Sequence, residues 1–203
     1  MLEIGGRPVI DCLLDRMEAA SCAKIRVVTR LEKEDVTRHV RSRGAEVVLA
    51  RPTTVSESLL AGLEGVRGET PVLFGFPDTL WGPEDGFAPL LAALGPGVDI
   101  ALGIFRAQEP ARSDVVALDG ERITGIEVKP DEPRSSLVWG CAATFAHVLR
   151  GVAGHAEPGR YFDSCARQGA VRGVRLEDPF VDIGTPESLR RARAASLSGE
   201  AAE

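Results

Sequence analysis

Asp78 and Asp182 are the residues of this 203-residue chain whose type and setting best suit chemistry. Asp78 closes the apolar run from Pro71 to Pro77, and Asp182 closes Pro179-Phe180-Val181 just ahead of Gly184 and a helix-like stretch. In open α/β sheets, ligands bind beyond the carboxyl ends of strands. Two carboxylates presented at such an edge suit Mg²⁺, a hard cation that accepts few protein ligands and completes its shell with water and substrate phosphate oxygens. Taken singly, each Asp equally suits a turn or a helix cap. Lys129, ahead of Pro130, is one of only three lysines, with Lys24 and Lys33. Its compact ammonium suits a phosphate oxygen, and a solvated position is the plainer alternative.

Other chemistries lack their signatures. The chain holds no G-x-S-x-G elbow, no P-loop and no G-x-G-x-x-G. His39, His147 and His155 have no partner motif, and solvated positions are expected for His39 on a charged helix and His155 in a Gly-rich loop. Cys12, Cys22, Cys141 and Cys165 fall in no CxxC pair and no metal spacing, which predicts reduced thiols packed like small apolar residues. A net charge of −6 and an aromatic content of 5% argue against a nucleic-acid surface, which needs clustered cations and stacking rings. No apolar run reaches the roughly 20 residues of a membrane-spanning helix, and the N-terminus lacks the features of a secretory signal. A cytoplasmic protein is the expectation.

The elements that must position these residues follow from apolar spacing. Val9, Ile10, Leu13, Leu14 and Met17 share one helical face after Pro8; residues 25–29 form a β-branched strand; a charged helix runs from Glu32 to about Arg43, and a strand from Glu46 to Leu49. Leu59, Leu60 and Leu63 mark a helix, Val72 to Gly75 a strand, and Phe87, Leu90, Leu91 and Leu94 a helix stopped by Gly95-Pro96-Gly97. This alternation predicts a mostly parallel sheet covered on both faces. In the second half, strands are expected at 98–105, 114–118, 122–128, 137–143 and 171–176, the second and third joined by the hairpin signal Asp119-Gly120. Helices are expected near 161–168 and after Thr185-Pro186-Glu187, with Thr185 as cap. No linker or repeat divides residues 1–195, and 196–203 are expected to fray.

Five segments, "MLEIGGRPVIDCLLDRM", "FGFPDTLW", "SDVVALDGERITGIEVKP", "WGCAATF" and "FVDIGTPESLRRA", occur in an order that resembles the sugar-1-phosphate nucleotidylyltransferases. The resemblance runs from Met1 to about Ala192. It implies a Rossmann-like nucleotidyltransferase fold, a mixed, mostly parallel sheet flanked by helices, and transfer of a nucleoside monophosphate from an NTP to a sugar 1-phosphate with release of pyrophosphate. Asp78 matches the first metal-binding Asp, with Pro77 in place of the usual Gly, and Asp182 matches the second. Lys129 matches the lysine that contacts the sugar phosphate. The Glu that normally precedes it is here Val128, with Glu127 one place earlier. Gly140 matches a sugar-side glycine, and Ser56 and Ser58 lie in the segment that usually contacts the nucleobase. Many members of such a family assemble as dimers or tetramers, so a homo-oligomer is among the expectations.

The resemblance departs from the pattern at the front. Family chains open with a strand and a Gly-rich loop of arginine and lysine around the triphosphate, whereas Met1 matches the segment after that loop. The expectation is a sheet lacking its first strand and an activity compromised by the absent nucleotide-binding loop. The alternative is a non-catalytic homologue that binds a sugar phosphate or a partner.

Overall fold

The computed structural model describes residues 1–176 and 180–198. A tight hairpin comes first: β1 (Glu3–Ile4) and β2 (Arg7–Pro8), turned by Gly5 and Gly6 at φ +58° and +77°, a region that glycine enters freely. Next are α1 (Val9–Ala19), β3 (Arg26–Thr29), α2 (Glu34–Ser42), β4 (Glu46–Leu49), α3 (Val55–Gly62), β5 (Pro71–Gly75), β6 (Thr79–Trp81) and α4 (Phe87–Ala93). The second half supplies β7 (Ile100–Arg106), the hairpin β8 (Val115–Asp119) and β9 (Arg122–Glu127), and the long strand β10 (Leu137–Phe145). It ends with α5 (Ala146–Leu149), α6 (Pro158–Arg167), β11 (Val171–Arg175), β12 (Phe180–Asp182) and α7 (Pro186–Ser198). Of the expected frayed tail, α7 runs through Ser198, and residues 199–203 lie outside the described residues.

The expected mostly parallel sheet is corrected to a mixed one. Among the described residues its six strands lie in the order β5-β10-β7-β11-β9-β8, with β7 and β11 as the one parallel pair. The cause is β10, which returns to insert antiparallel between β5 and β7, together with the β8–β9 hairpin. The parallel pair β3–β4 and the antiparallel pair β6–β12 form separate ladders.

Strand alternation divides the core between the two faces of this sheet. Ile100, Leu102 and Ile104 of β7 join Phe74, Ile123, Trp139 and Phe162 on the α6 side. Ala101 and Phe105 join Trp81, Phe87, Leu90 and Cys141 on the α4 side. Trp81, only 2% exposed, is thus a packing residue beneath the end of β5 and meets Phe87 edge to face at 5.2 Å. A smaller cluster of Leu14, Val40 and Ala45 joins α1 and α2.

One polar expectation is corrected here. His39 is half-buried rather than solvated, with Nε2 2.6 Å from Asp11 Oδ1 and Arg43 Nη1 3.1 Å from the same oxygen. The charged face of α2 packs across acidic residues of α1, so its polarity serves the helix contact. All four cysteines are free thiols, Cys141 fully buried. Among the described residues no helix is long and apolar enough to cross a membrane.

Candidate functional site

Asp78 and Asp182 come together through a short antiparallel ladder. Strand β5 ends at Gly75, the chain turns through Phe76-Pro77-Asp78, and β6 then pairs with β12 so that Asp182 lies opposite Thr79. The Ile183 amide donates to the Asp78 carbonyl at 2.8 Å, which ties the two loops directly. The Gly184 amide donates to Asp182 Oδ1 at 2.6 Å. A Cβ placed on Gly184 would stand 2.9 Å from Asp182 Oδ1 and 3.5 Å from Asp78 Oδ2, so both carboxylates converge on one spot. Behind them Thr185 Oγ1 accepts from the Ser188 amide at 3.1 Å, the cap expected for α7.

Crowding by protein, and next the Asp182 charge, push the Asp78 carboxyl above its ordinary value, while Lys129 pulls it back. Like charges held side by side are poised for a cation. A hard divalent ion fits this donor set, since both groups are oxygen donors and the remaining coordination comes from water and phosphate. Among the described residues no cluster of three or more His, Cys, Asp or Glu forms a fuller cage.

Lys129 stands across from this pair, just after β9. Its Nζ meets Glu157 Oε1 at 2.7 Å, and this hydrogen bond is the main cause of its raised pKa; the charges of Asp114 and Asp182 add to it. Lys129 has φ +42°, a conformation that costs a residue with a side chain roughly 1 to 2 kcal/mol. Its ammonium is held by Glu157, which precedes α6.

Asp114 is 8% exposed, and its Oδ1 has no hydrogen-bond partner among the described residues. Its Oδ2 accepts from Trp139 Nε1 at 3.3 Å. Burial, with the Glu157 charge second, pushes this carboxyl up to about 6, against the pull of Lys129. Its place depends on Gly159 in the first turn of α6, where a Cβ would lie 2.1 Å from Asp114 Oδ2.

A cleft of about 580 Å³ reaches this cluster at Glu157. Its lining includes Thr29 at the end of β3, Arg30 and Lys33 just after it, Thr53 and Thr54 before α3, Ser58 within α3, and Glu157. Cations and hydroxyls thus share this lining with Glu157, the partner of Lys129.

The residues singled out in the sequence are distributed unevenly. Asp78, Asp182 and Lys129 share one neighbourhood, close enough for Lys129 to act on the Asp78 carboxyl and for the Asp182 charge to act on Lys129. Ser58 lines the cleft, whereas Ser56 is 1% exposed and its amide donates to the Ala156 carbonyl at 3.3 Å. Glu127 is exposed and 3.7 Å from Arg134, away from Lys129's partners. Successive strand residues face opposite ways, so Val128 turns inward toward Gly159 where a motif Glu would stand. The inward carboxylates are instead Asp114 and Glu157, which sequence reasoning did not single out. The first resembles a strand-start residue and the second a residue before a helix-opening Pro158.

Gly140 sits at a bulge in β10 and faces Phe180 rather than the cleft. A Cβ there would lie 2.7 Å from the Phe180 ring and 3.2 Å from Phe105, and those rings are already stacked at 4.8 Å. Gly140→Ala is expected to lower stability by about 1 to 3 kcal/mol through overpacking. It should also disturb Asp182, two residues beyond Phe180. Urea unfolding measures the first effect, and an unchanged midpoint would refute this role for Gly140.

The fold and part of the site have recognised relatives. Residues 1–113, which include Asp78, match the MobA-like NTP transferase domain. A structure described as a glucose-1-phosphate thymidylyltransferase from Bacillus anthracis, solved in complex with a sucrose, aligns with a TM-score of 0.83 and 18% identity over 96% of this chain and 85% of that one. That likeness shows the shared fold. No curated protein sequence matches the chain. With more than half its length matched by the family, the chain belongs to the MobA-like NTP transferases, a nucleotidyltransferase family.

Proposed function

We propose that this protein serves the transfer of a nucleoside monophosphate from an NTP to a sugar 1-phosphate, with release of pyrophosphate. The observation that carries this reading is the convergence of Asp78 and Asp182 with Lys129 nearby. Asp78 and Asp182 would hold Mg²⁺, which when bound supplies charge neutralisation to the reacting phosphates. Lys129 donates to an oxygen of the acceptor phosphate and aims another at the α-phosphorus of the NTP, where the new P–O bond forms as pyrophosphate leaves. Little covalent chemistry is asked of the protein, because in-line transfer depends on positioning and electrostatics. Arg30, Lys33 and Ser58 line the cleft that takes the nucleotide, and Lys129 with Glu157 marks the acceptor end.

The nucleotide side calls for one more element. Among the described residues, β3 has a ladder partner only in β4, and β5 only in β10. Helices reach both strands: Ile10 of α1 joins the cluster containing Val27, and Leu13 lies against Gly75. On α3, Gly62 lies against Val28, while Leu59 and Leu60 pack on the core cluster of Phe74. These bridges support a slot for a further strand between β3 and β5, carrying the Gly-rich basic loop the resemblance implies.

The open edges also favour a second reading, in which the chain binds a sugar phosphate without transferring to it. An assay with NTPs, Mg²⁺ and glucose 1-phosphate separates the readings, run on this chain and on a form preceded by an apolar strand and Gly-rich basic loop. The expected result is pyrophosphate release at least about a hundredfold faster in the preceded form, given that lost positioning costs about 10²-fold or more. Fast release by the 203 residues would overturn the compromised activity. No release by either form, with glucose 1-phosphate still bound, would leave only the binding reading.

A further inference from the structure

We propose that Glu157 is a positioning residue that aims the Lys129 ammonium at the acceptor phosphate. The assignment rests on the acceptor role just given to Lys129, and its structural content can be tested apart from turnover. Glu157 stands at the N-cap of α6, where a side chain ordinarily serves the first-turn amides. Among the described residues its carboxylate makes no such bond; the Glu157 carbonyl accepts from the Arg160 amide at 3.3 Å instead. The carboxylate leaves the helix and takes the Lys129 ammonium, Oε1 to Nζ, at 2.7 Å.

Stability does not explain this pair. The side chains of Lys129 and Glu157 are 51% and 30% exposed, and an ion pair so open to water contributes little. It does not offset the cost of holding Lys129 at φ +42°, the more so because a residue ahead of a proline, here Pro130, prefers extended backbone. What the pair supplies is a fixed cation. Residues 156–159 are themselves anchored, since the Ser56 amide of α3 donates to the Ala156 carbonyl at 3.3 Å and Pro158 restricts the first turn of α6. Gly159 then lies so near Asp114 that a Cβ would stand 2.1 Å from its Oδ2. The carboxylate thus holds the ammonium from a braced support. An ammonium has three protons to donate; Glu157 accepts one, and two stay free for phosphate oxygens. Glu157 also shares the cleft lining with Arg30, Lys33 and Thr54, so it stands where the nucleotide side meets the acceptor side.

Glu157→Ala removes the hold without removing a side-chain cap. In protein carrying isotope-labelled lysine nitrogen, heteronuclear NMR can show side-chain ammonium signals from Lys24, Lys33 and Lys129 alone, and Lys129→Gln identifies the last. The expected result for the 203-residue chain is a Lys129 signal that shifts or is lost in Glu157→Ala, while that of Lys24, paired with Glu46 at 2.9 Å, stays in place. Glu157→Gln keeps an uncharged acceptor and should give an intermediate shift. A Lys129 signal absent from the parent where Lys24 shows one, or unmoved in a folded variant judged by circular dichroism, would overturn the proposal.

In whichever form releases pyrophosphate, Glu157→Ala should lower kcat at least about tenfold through lost aim. KM for glucose 1-phosphate should stay within about threefold of the parent, because the freed ammonium keeps its charge and the phosphate loses a like-charged neighbour. A raised KM with kcat unchanged would make Glu157 a contact of the acceptor and overturn the positioning role. A moved signal with no transfer by any form would overturn the acceptor role and the transfer reading, while the hold on Lys129 would stand. Normal transfer with an unmoved signal would do the reverse.

Discussion

Asp78→Asn and Asp182→Asn are each expected to reduce metal-dependent turnover by at least about a thousandfold in whichever form releases pyrophosphate. Charge neutralisation at transferring phosphates supplies several kcal/mol, and about 1.4 kcal/mol corresponds to each factor of ten. Neither change should unfold the protein. The Asp78 carboxyl is already pushed up by crowding and by Asp182, so neutralising it relieves repulsion. The backbone contact between the loops runs from the Ile183 amide to the Asp78 carbonyl, and asparagine preserves it. An asparagine oxygen at position 182 can still accept from the Gly184 amide.

A second readout is free of turnover. Millimolar Mg²⁺ should raise the thermal midpoint of the parent protein, since an ion bound only by the folded state stabilises it, and this rise should vanish in either variant. A variant that keeps its rate, or keeps the Mg²⁺ shift, would refute the metal assignment. Retention in one variant alone would reduce the site to a single carboxylate.

Local signals in the sequence were strong where the deciding contacts are local. The apolar face Val9, Leu13 and Leu14 is the buried face of α1, Asp119-Gly120 turns the β8–β9 hairpin, and Thr185 caps α7. What was not legible depends on contacts between distant segments. Nothing within Leu137–Phe145 says that this strand inserts antiparallel between β5 and β7, because each of its faces is apolar and any neighbour would bury it. Glu127 illustrates the same limit at one residue: proximity in sequence to Lys129 suggested a role, and the two-residue period of the strand turned it outward. Glu157 reaches Lys129 from another element, and only that three-dimensional contact distinguishes it from an ordinary helix-start residue.

Asp114→Asn should make the protein more stable. The folded-state carboxyl lies at about 6 against an ordinary value of 3.8. At roughly 1.4 kcal/mol per pKa unit, the ionised group costs the fold on the order of 2 to 3 kcal/mol at pH 8. The sign follows from proton binding. Between pH 3.8 and about 6 the folded protein binds more protons at this site than the unfolded chain, so its contribution to stability falls as pH rises and levels off above 6. An asparagine does not titrate. Its advantage over aspartate should be about 1 to 3 kcal/mol at pH 8, or several degrees in Tm for a domain of this size, and should disappear near pH 4. Urea unfolding of both proteins at the two pH values measures the difference. A variant less stable than the parent at pH 8 would mean that the carboxylate holds the fold together.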